Sequence, residues 1–338
     1  MKKRLISILT AFGIFILIID SKTAIMSGKE GIMLCIQTII PALLPFFVLS
    51  GSLLRNISGN SFPPLRLIGR LCKIPKGAEP LLLFGFLGGY PIGAKNIQNA
   101  AINGVLDTQS ARRMLGFCNN AGPAFIFGMV SCLFESSGPC WALWFIHIVS
   151  AIIVGILLPG CANGYYKHTE VSGGTFLTDV EKSTKTMAVV CCWVILFRVL
   201  INFGKRWLFW MFPAEIQLLI TGVTELSNGI IDLTHLSYPG LRFVLSSVLL
   251  GLGGFCVAMQ TVSITGNLGS GYYFPGKLLQ GCLSFTLALI LQPVFFSESE
   301  IFRFPLFLNV GIIMFGIIIL MILYRNKNNS RIMAQNLI

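Results

Sequence analysis

The chain is a succession of apolar runs, each about as long as a membrane crossing. Spanning roughly 30 Å of hydrocarbon takes about 20 residues of helix. Runs near that length recur at Leu5 to Ile19, Gly31 to Leu54, Leu81 to Ala100, Met114 to Phe134, Pro139 to Pro159 and Met187 to Phe203. Four more follow, at Glu215 to Leu236, Gly240 to Ile264, Leu278 to Phe296 and Pro305 to Tyr324. The short alternating strands of a membrane barrel are not seen. A hydrophobic share of 54% with 11% charged residues lies outside the soluble range. An all-α integral membrane protein, with the lipid bilayer as its solvent, is expected.

The N-terminus pairs a basic start, Lys2, Lys3 and Arg4, with an apolar stretch, as a secretory signal also does. No small-x-small site follows, so an uncleaved first helix is expected. The formal charge of +12 comes from basic residues scattered among hydrophobic runs, which argues against nucleic acid as a partner. Ten cysteines sit mostly inside apolar runs without metal-ligand spacing and read as small buried hydrophobes.

Two runs are broken too often to be ordinary spans. Leu81 to Ala100 carries Gly85, Gly88, Gly89, Pro91, Gly93 and Lys95, and Glu215 to Leu236 carries Glu225, Ser227, Asn228, Gly229 and Asp232. Such backbone persists at membrane depth only where protein or a wet cavity surrounds it, so re-entrant hairpins are expected at 81–100 and 215–236. About eight full spans plus two hairpins place both termini on one side. Lys22, Lys29, Lys205, Arg206, Arg242 and Arg303 then lie opposite, Lys95 and Arg198 lie within runs, and the other Lys and Arg residues, Arg113 and Lys277 among them, share the face of the termini. That bias puts both termini in the cytoplasm.

The expected organisation is a first membrane repeat over 1–160, a polar cytoplasmic loop over 161–186, a second repeat over 187–324 and a basic cytoplasmic tail over 325–338. FGFLGGYPIGAK, ending at Lys95, is similar to LLGLGGFCVAMQ, ending at Gln260, about half the chain later. Two pseudo-symmetric, inverted repeats with a solute held between interrupted helices would account for this. Chance packing through small residues is the alternative.

Lys95 heads the candidate site residues, because an ionisable group at membrane depth is a functional candidate by default. With the amides of Gly88, Gly89 and Tyr90 it could hold a carboxylate or phosphate. Snorkelling to the interface is the alternative. Asn119 and Asn120, in NNAGPAFIFG, supply donors and acceptors without charge, for a solute or as interhelical glue. Ser227, Asn228 and Gln260 extend the polar set. Glu225 is the candidate for a coupling H⁺ or Na⁺, unless it is simply solvated. His147 reads as a satisfied interior histidine, and Arg198 could counter a solute charge or pair with Glu225. No HExxH, GxSxG, P-loop or dinucleotide-binding motif occurs, so no enzyme, metal site or cofactor is expected.

GGYPIGAK at Gly88 to Lys95, NNAGPAFIFG at Asn119 to Gly128, TELSNGI at Thr224 to Ile230, GLGGFCVAMQ at Gly251 to Gln260 and KLLQG at Lys277 to Gly281 together resemble one family. It is the sporulation integral membrane proteins known as YlbJ or SpoVV, with their nucleoside-recognition gate domains. The resemblance runs from about Gly31 to Phe296. It implies a membrane protein of endospore-forming bacteria, distantly similar to concentrative nucleoside transporters and linked to passage of dipicolinic acid across the outer forespore membrane.

The expected function is therefore a transporter of a small organic anion, with dipicolinate the candidate, working by alternating access. A nucleoside or related heterocycle as solute, and a sporulation membrane scaffold that transports nothing, are the alternatives. Oligomeric state is left open.

Overall fold

A computed structural model describes residues 2–57, 63–160, 166 and 175–303. The run Pro305 to Tyr324, the tail 325–338 and much of the loop 161–186 lie outside the described residues. Apart from an isolated β-bridge between Leu106 and Tyr166, the described regular structure is helical.

Helices α1 (Lys2–Ile19), α2 (Ser21–Leu34) and α3 (Ile40–Ile57) open the chain. A π-helical turn, Cys35–Ile39, joins the last two. Pro41 has no N–H to offer the Gln37 carbonyl, and the wider turn falls where that bond is missing. Together these residues make an apolar rod, Ser21–Leu53, of 33 residues. Helices α4 (Pro63–Leu71), α5 (Glu79–Leu87), α6 (Ile92–Ile102), α7 (Thr108–Met114), α8 (Pro123–Gly128) and α9 (Gly138–Leu157) follow. Beyond the masked loop come α10 (Phe176–Trp207), α11 (Ala214–Thr224), α12 (Leu226–Leu233), α13 (Pro239–Leu252), α14 (Gly254–Thr265) and α15 (Tyr273–Leu291).

Among the described residues, five helical stretches are long and apolar enough to cross a membrane: Ser21–Leu53, α9, α10, Pro239–Leu268 and Tyr273–Val294. Their outer sides carry Trp141, Phe145, Leu200, Phe255 and Leu278, each more than half exposed. Large apolar side chains facing outward in such number suit lipid.

Two helix pairs fold back on themselves. A Cβ on Gly85 and one on Gly93 would each lie 2.1 Å from the Cys118 carbonyl oxygen. Eight residues of straight helix would separate such positions by about 12 Å, so α5 and α6 form a hairpin closed at Gly88 to Pro91. A Cβ on Gly229 would likewise come 2.2 Å from Gly222 Cα, which closes α11 on α12 around Glu225.

The segment Met114 to Phe134, expected as a full span, is not one. It holds the end of α7, a bend at Leu115 to Gly122, the short α8 and a 3₁₀ turn, Val130–Leu133. Pro123 cannot donate to the Asn119 carbonyl, and the Asn120 side chain donates to Phe117 O at 2.7 Å, in competition with helical bonding.

The two Gly-Gly segments also differ in shape. At Gly89 (φ 76°) the chain turns back, whereas at Gly253 and Gly254 (φ 77° and 76°) it continues as the interrupted run Pro239–Leu268. In chain order a hairpin, two helices and a long helix run as α5/α6, α7–α8, α9 and as α11/α12, α13–α14, α15, but α7 and α8 have 7 and 6 residues against 14 and 12 in α13 and α14.

Small and hydroxyl residues bring the long helices together. A Cβ on Gly251 of α13 would stand 2.8 Å from Gly281 Cα of α15. Ser247 Oγ donates to Ser284 O, and Ser284 Oγ donates to Ser150 Oγ of α9, each at 3.0 Å. Arg113, which the charge count placed on a solvated face, is buried instead. Its guanidinium donates to Pro159 O and Leu158 O at 2.7 and 3.1 Å and to Gly155 O, collecting carbonyls at the end of α9, and to Cys72 O just past α4.

Candidate functional site

The two hairpin turns face one another across a narrow, open cleft. Gly89 and Tyr90 bring the first turn to it, and Glu225, Leu226 and Ser227 bring the second. Ala121 and Gly122 come from the bend before α8, and Val257 and Gln260 from the first turns of α14. The remaining wall is apolar and includes Leu43, Phe125, Val190 and Val194. Helix starts therefore gather at the cleft: α6 begins just past Tyr90, α8 at Gly122, α12 at Glu225 and α14 close to Val257. A helix start carries a partial positive charge, although some of the amides here are already bonded within the chain, as Ala94 N of α6 is to Asn119 Oδ1.

One of those starts is already neutralised from within the chain. Glu225 adopts an extended conformation (φ −144°, ψ 121°) and caps α12. Its carboxylate accepts from the amides of Ser227 at 3.0 Å and Asn228 at 2.7 Å, and from Asn228 Nδ2 at 2.7 Å. Arg198 does not reach Glu225 directly: it pairs with Glu30 at 2.9 Å and donates to Asn228 Oδ1. Glu225 is buried all the same, so the carboxylate lies in the cleft wall and not in bulk solvent.

Of the residues singled out in the sequence, Gly89, Tyr90, Glu225, Ser227 and Gln260 line the cleft, and Asn228 stands directly behind Glu225. Gly88 is packed within its own turn, where a Cβ would meet Ile92 Cγ2 at 2.8 Å. Asn119 and Asn120 are fully buried behind the lining. Asn119 Oδ1 accepts from Ala94 N at 3.2 Å and its Nδ2 donates to Thr261 Oγ1 at 2.9 Å, tying α6 to α14. Lys95 is not at the cleft. Its ammonium reaches α10, donating to Lys182 O at 3.1 Å and to Thr186 Oγ1.

Lys277, expected on the solvated face of the termini, is instead bonded to a lining residue, Tyr90. Lys277 sits in the first turns of α15, 3% exposed, with Nζ 2.6 Å from Gln280 Oε1, 3.0 Å from Asn120 Oδ1 and 3.4 Å from Tyr90 Oη. Tyr90 Oη donates in turn to Leu250 O at 2.9 Å. His147 completes the cluster as a neutral ring, because the Ala121 amide donates to its Nε2 at 2.9 Å and an amide can only donate. The signal for Lys277 lay in KLLQG: Lys and Gln three residues apart share one helix face, here turned inward.

No family model matches the chain, and no solved structure matches it significantly. It aligns over 334 residues with the sporulation integral membrane protein YlbJ of Bacillus subtilis (strain 168), at 22% identity. The alignment covers 82% of this chain and 80% of that protein. With its long apolar helices, the chain is a membrane protein related to a sporulation integral membrane protein.

Proposed function

We propose that this chain transports a small organic anion, with dipicolinate the candidate, across a membrane of a sporulating cell by alternating access. The observation that carries the reading is the gathering of helix starts at one cleft between two opposed hairpin turns. The helix dipoles there favour a carboxylate, and broken helices around a central site are the usual architecture of a solute carrier. Lys277, one residue behind Tyr90, adds positive charge on the same side. Glu225 is the place for a coupling H⁺ or Na⁺. The hairpins are read as re-entrant, the twice-repeated order of elements as two inverted repeats, the termini as cytoplasmic and the membrane as the outer forespore membrane.

A second reading, a nucleoside or related neutral heterocycle, is favoured by the Glu225 carboxylate in the lining and by the neutral Ser227 and Gln260 beside Tyr90 and Phe125. Titration of purified protein with dipicolinate and with uridine, followed by thermal stabilisation, separates the two. Stabilisation by dipicolinate and not by uridine is expected. The reverse order would transfer the assignment to the heterocycle.

A further inference from the structure

We propose that Lys277 is a tethered cation: its ammonium fills a monovalent-cation site that Tyr90, Asn120 and Gln280 build at the back of the cleft. Three oxygens converge on Nζ, at 3.4, 3.0 and 2.6 Å, and all three belong to neutral groups. The Tyr90 contact is made by the hydroxyl end of the ring, with Nζ 5.1 Å from the ring centroid. Among the described residues no carboxylate forms an ion pair with Lys277. His147 and Cys118, the other titratable groups near it, come from α9 and the bend before α8, and His147 is held neutral by the Ala121 amide.

The geometry is that of a cation shell and not of an ion pair. Asn120 Oδ1 accepts from Lys277 and also from Gln280 Nε2 at 3.1 Å, so the acceptors are held by bonds other than those to the ammonium. Gln280 Nε2 is fixed a second time by His147 O at 3.2 Å, and Tyr90 by Leu250 O. A set of neutral oxygens held in this way is suited to ammonium or potassium. The chain supplies the occupant from α15, and the occupant joins the first hairpin turn to the bend before α8.

Lys277→Ala removes the ammonium and leaves the oxygens. The purified variant is unfolded thermally in chloride salts of N-methylglucamine, sodium, potassium, ammonium and methylammonium at equal ionic strength. Its melting temperature is expected to be lowered in N-methylglucamine and raised by several degrees in ammonium, methylammonium or potassium. Wild type is expected to show no such dependence. Lys277→Met, which fills the space with an apolar chain, is expected to stay insensitive to the cation. Lys277→Ala that ignores the cation, wild type or Lys277→Met that responds as strongly, or Lys277→Ala that cannot be recovered folded even in ammonium would each overturn the proposal. None of these outcomes depends on which solute the cleft carries.

Discussion

Lys277 on α15 and Tyr90 at the first hairpin turn meet behind the cleft, with Nζ 3.4 Å from Oη. Among the described residues that line the cleft, Tyr90 is the one to which that ammonium is bonded. Positive charge placed there acts on a bound anion through a short, desolvated path. Lys277→Met is expected to weaken dipicolinate affinity by at least about tenfold, or about 1.4 kcal/mol, measured by titration of the folded variant. Unchanged affinity would remove Lys277 from solute recognition.

Glu225 has two separable duties. Glu225→Ala deletes the cap of α12 and is expected to lower stability by about 1 to 2 kcal/mol, read from thermal or denaturant unfolding. Glu225→Gln keeps an acceptor for one of the Ser227 and Asn228 amides, turns an NH2 toward the other, and loses the charge. It is expected to retain solute exchange between two equal pools while losing uptake against a gradient. Full concentrative uptake by Glu225→Gln would exclude the carboxylate from coupling.

Closure of the second hairpin depends on the contact of Gly229 with Gly222, where a Cβ would stand 2.2 Å from Cα. Gly229→Ala is expected to force the two helices apart. Overpacking of this kind costs about 1 to 3 kcal/mol, and protease cleavage between 222 and 229 is expected to rise. Gly28→Ala, with nothing within 4 Å, serves as the silent control.

Lys95→Gln is expected to leave solute affinity within about twofold, since the ammonium bonds to α10 and not to the cleft. Loss of stability with unchanged affinity is the expected pattern. A selective loss of dipicolinate binding would bring Lys95 back to the site.

The sequence made the solvent, the helical class and the two broken segments legible, because apolar run length and Gly/Pro content act locally. It also marked Glu225 and the Gly89–Tyr90 turn, since polar or flexible residues at membrane depth need a reason to be there. It misplaced the two lysines through one physical ambiguity. A lysine at the end of an apolar run can snorkel outward or turn inward, and only packing decides which. Lys95 lies more than a helical turn past the hairpin tip, far enough along α6 to face α10. Lys277 opens a span, as an interfacial lysine would, yet Asn120 and Tyr90 come from distant segments to receive it. The bend inside Met114 to Phe134 was concealed by hydropathy, which counts apolar residues without asking where Pro123 interrupts the backbone.

The central claim is that the cleft between the two hairpin turns carries a small organic anion. Uptake of labelled dipicolinate by proteoliposomes containing the purified chain tests it most directly. Saturable uptake, absent from empty liposomes, abolished in a Gly89→Val variant that blocks the turn and not competed by uridine, is the expected result. Uptake of uridine without dipicolinate, or dipicolinate uptake equal to that of empty liposomes, would contradict it.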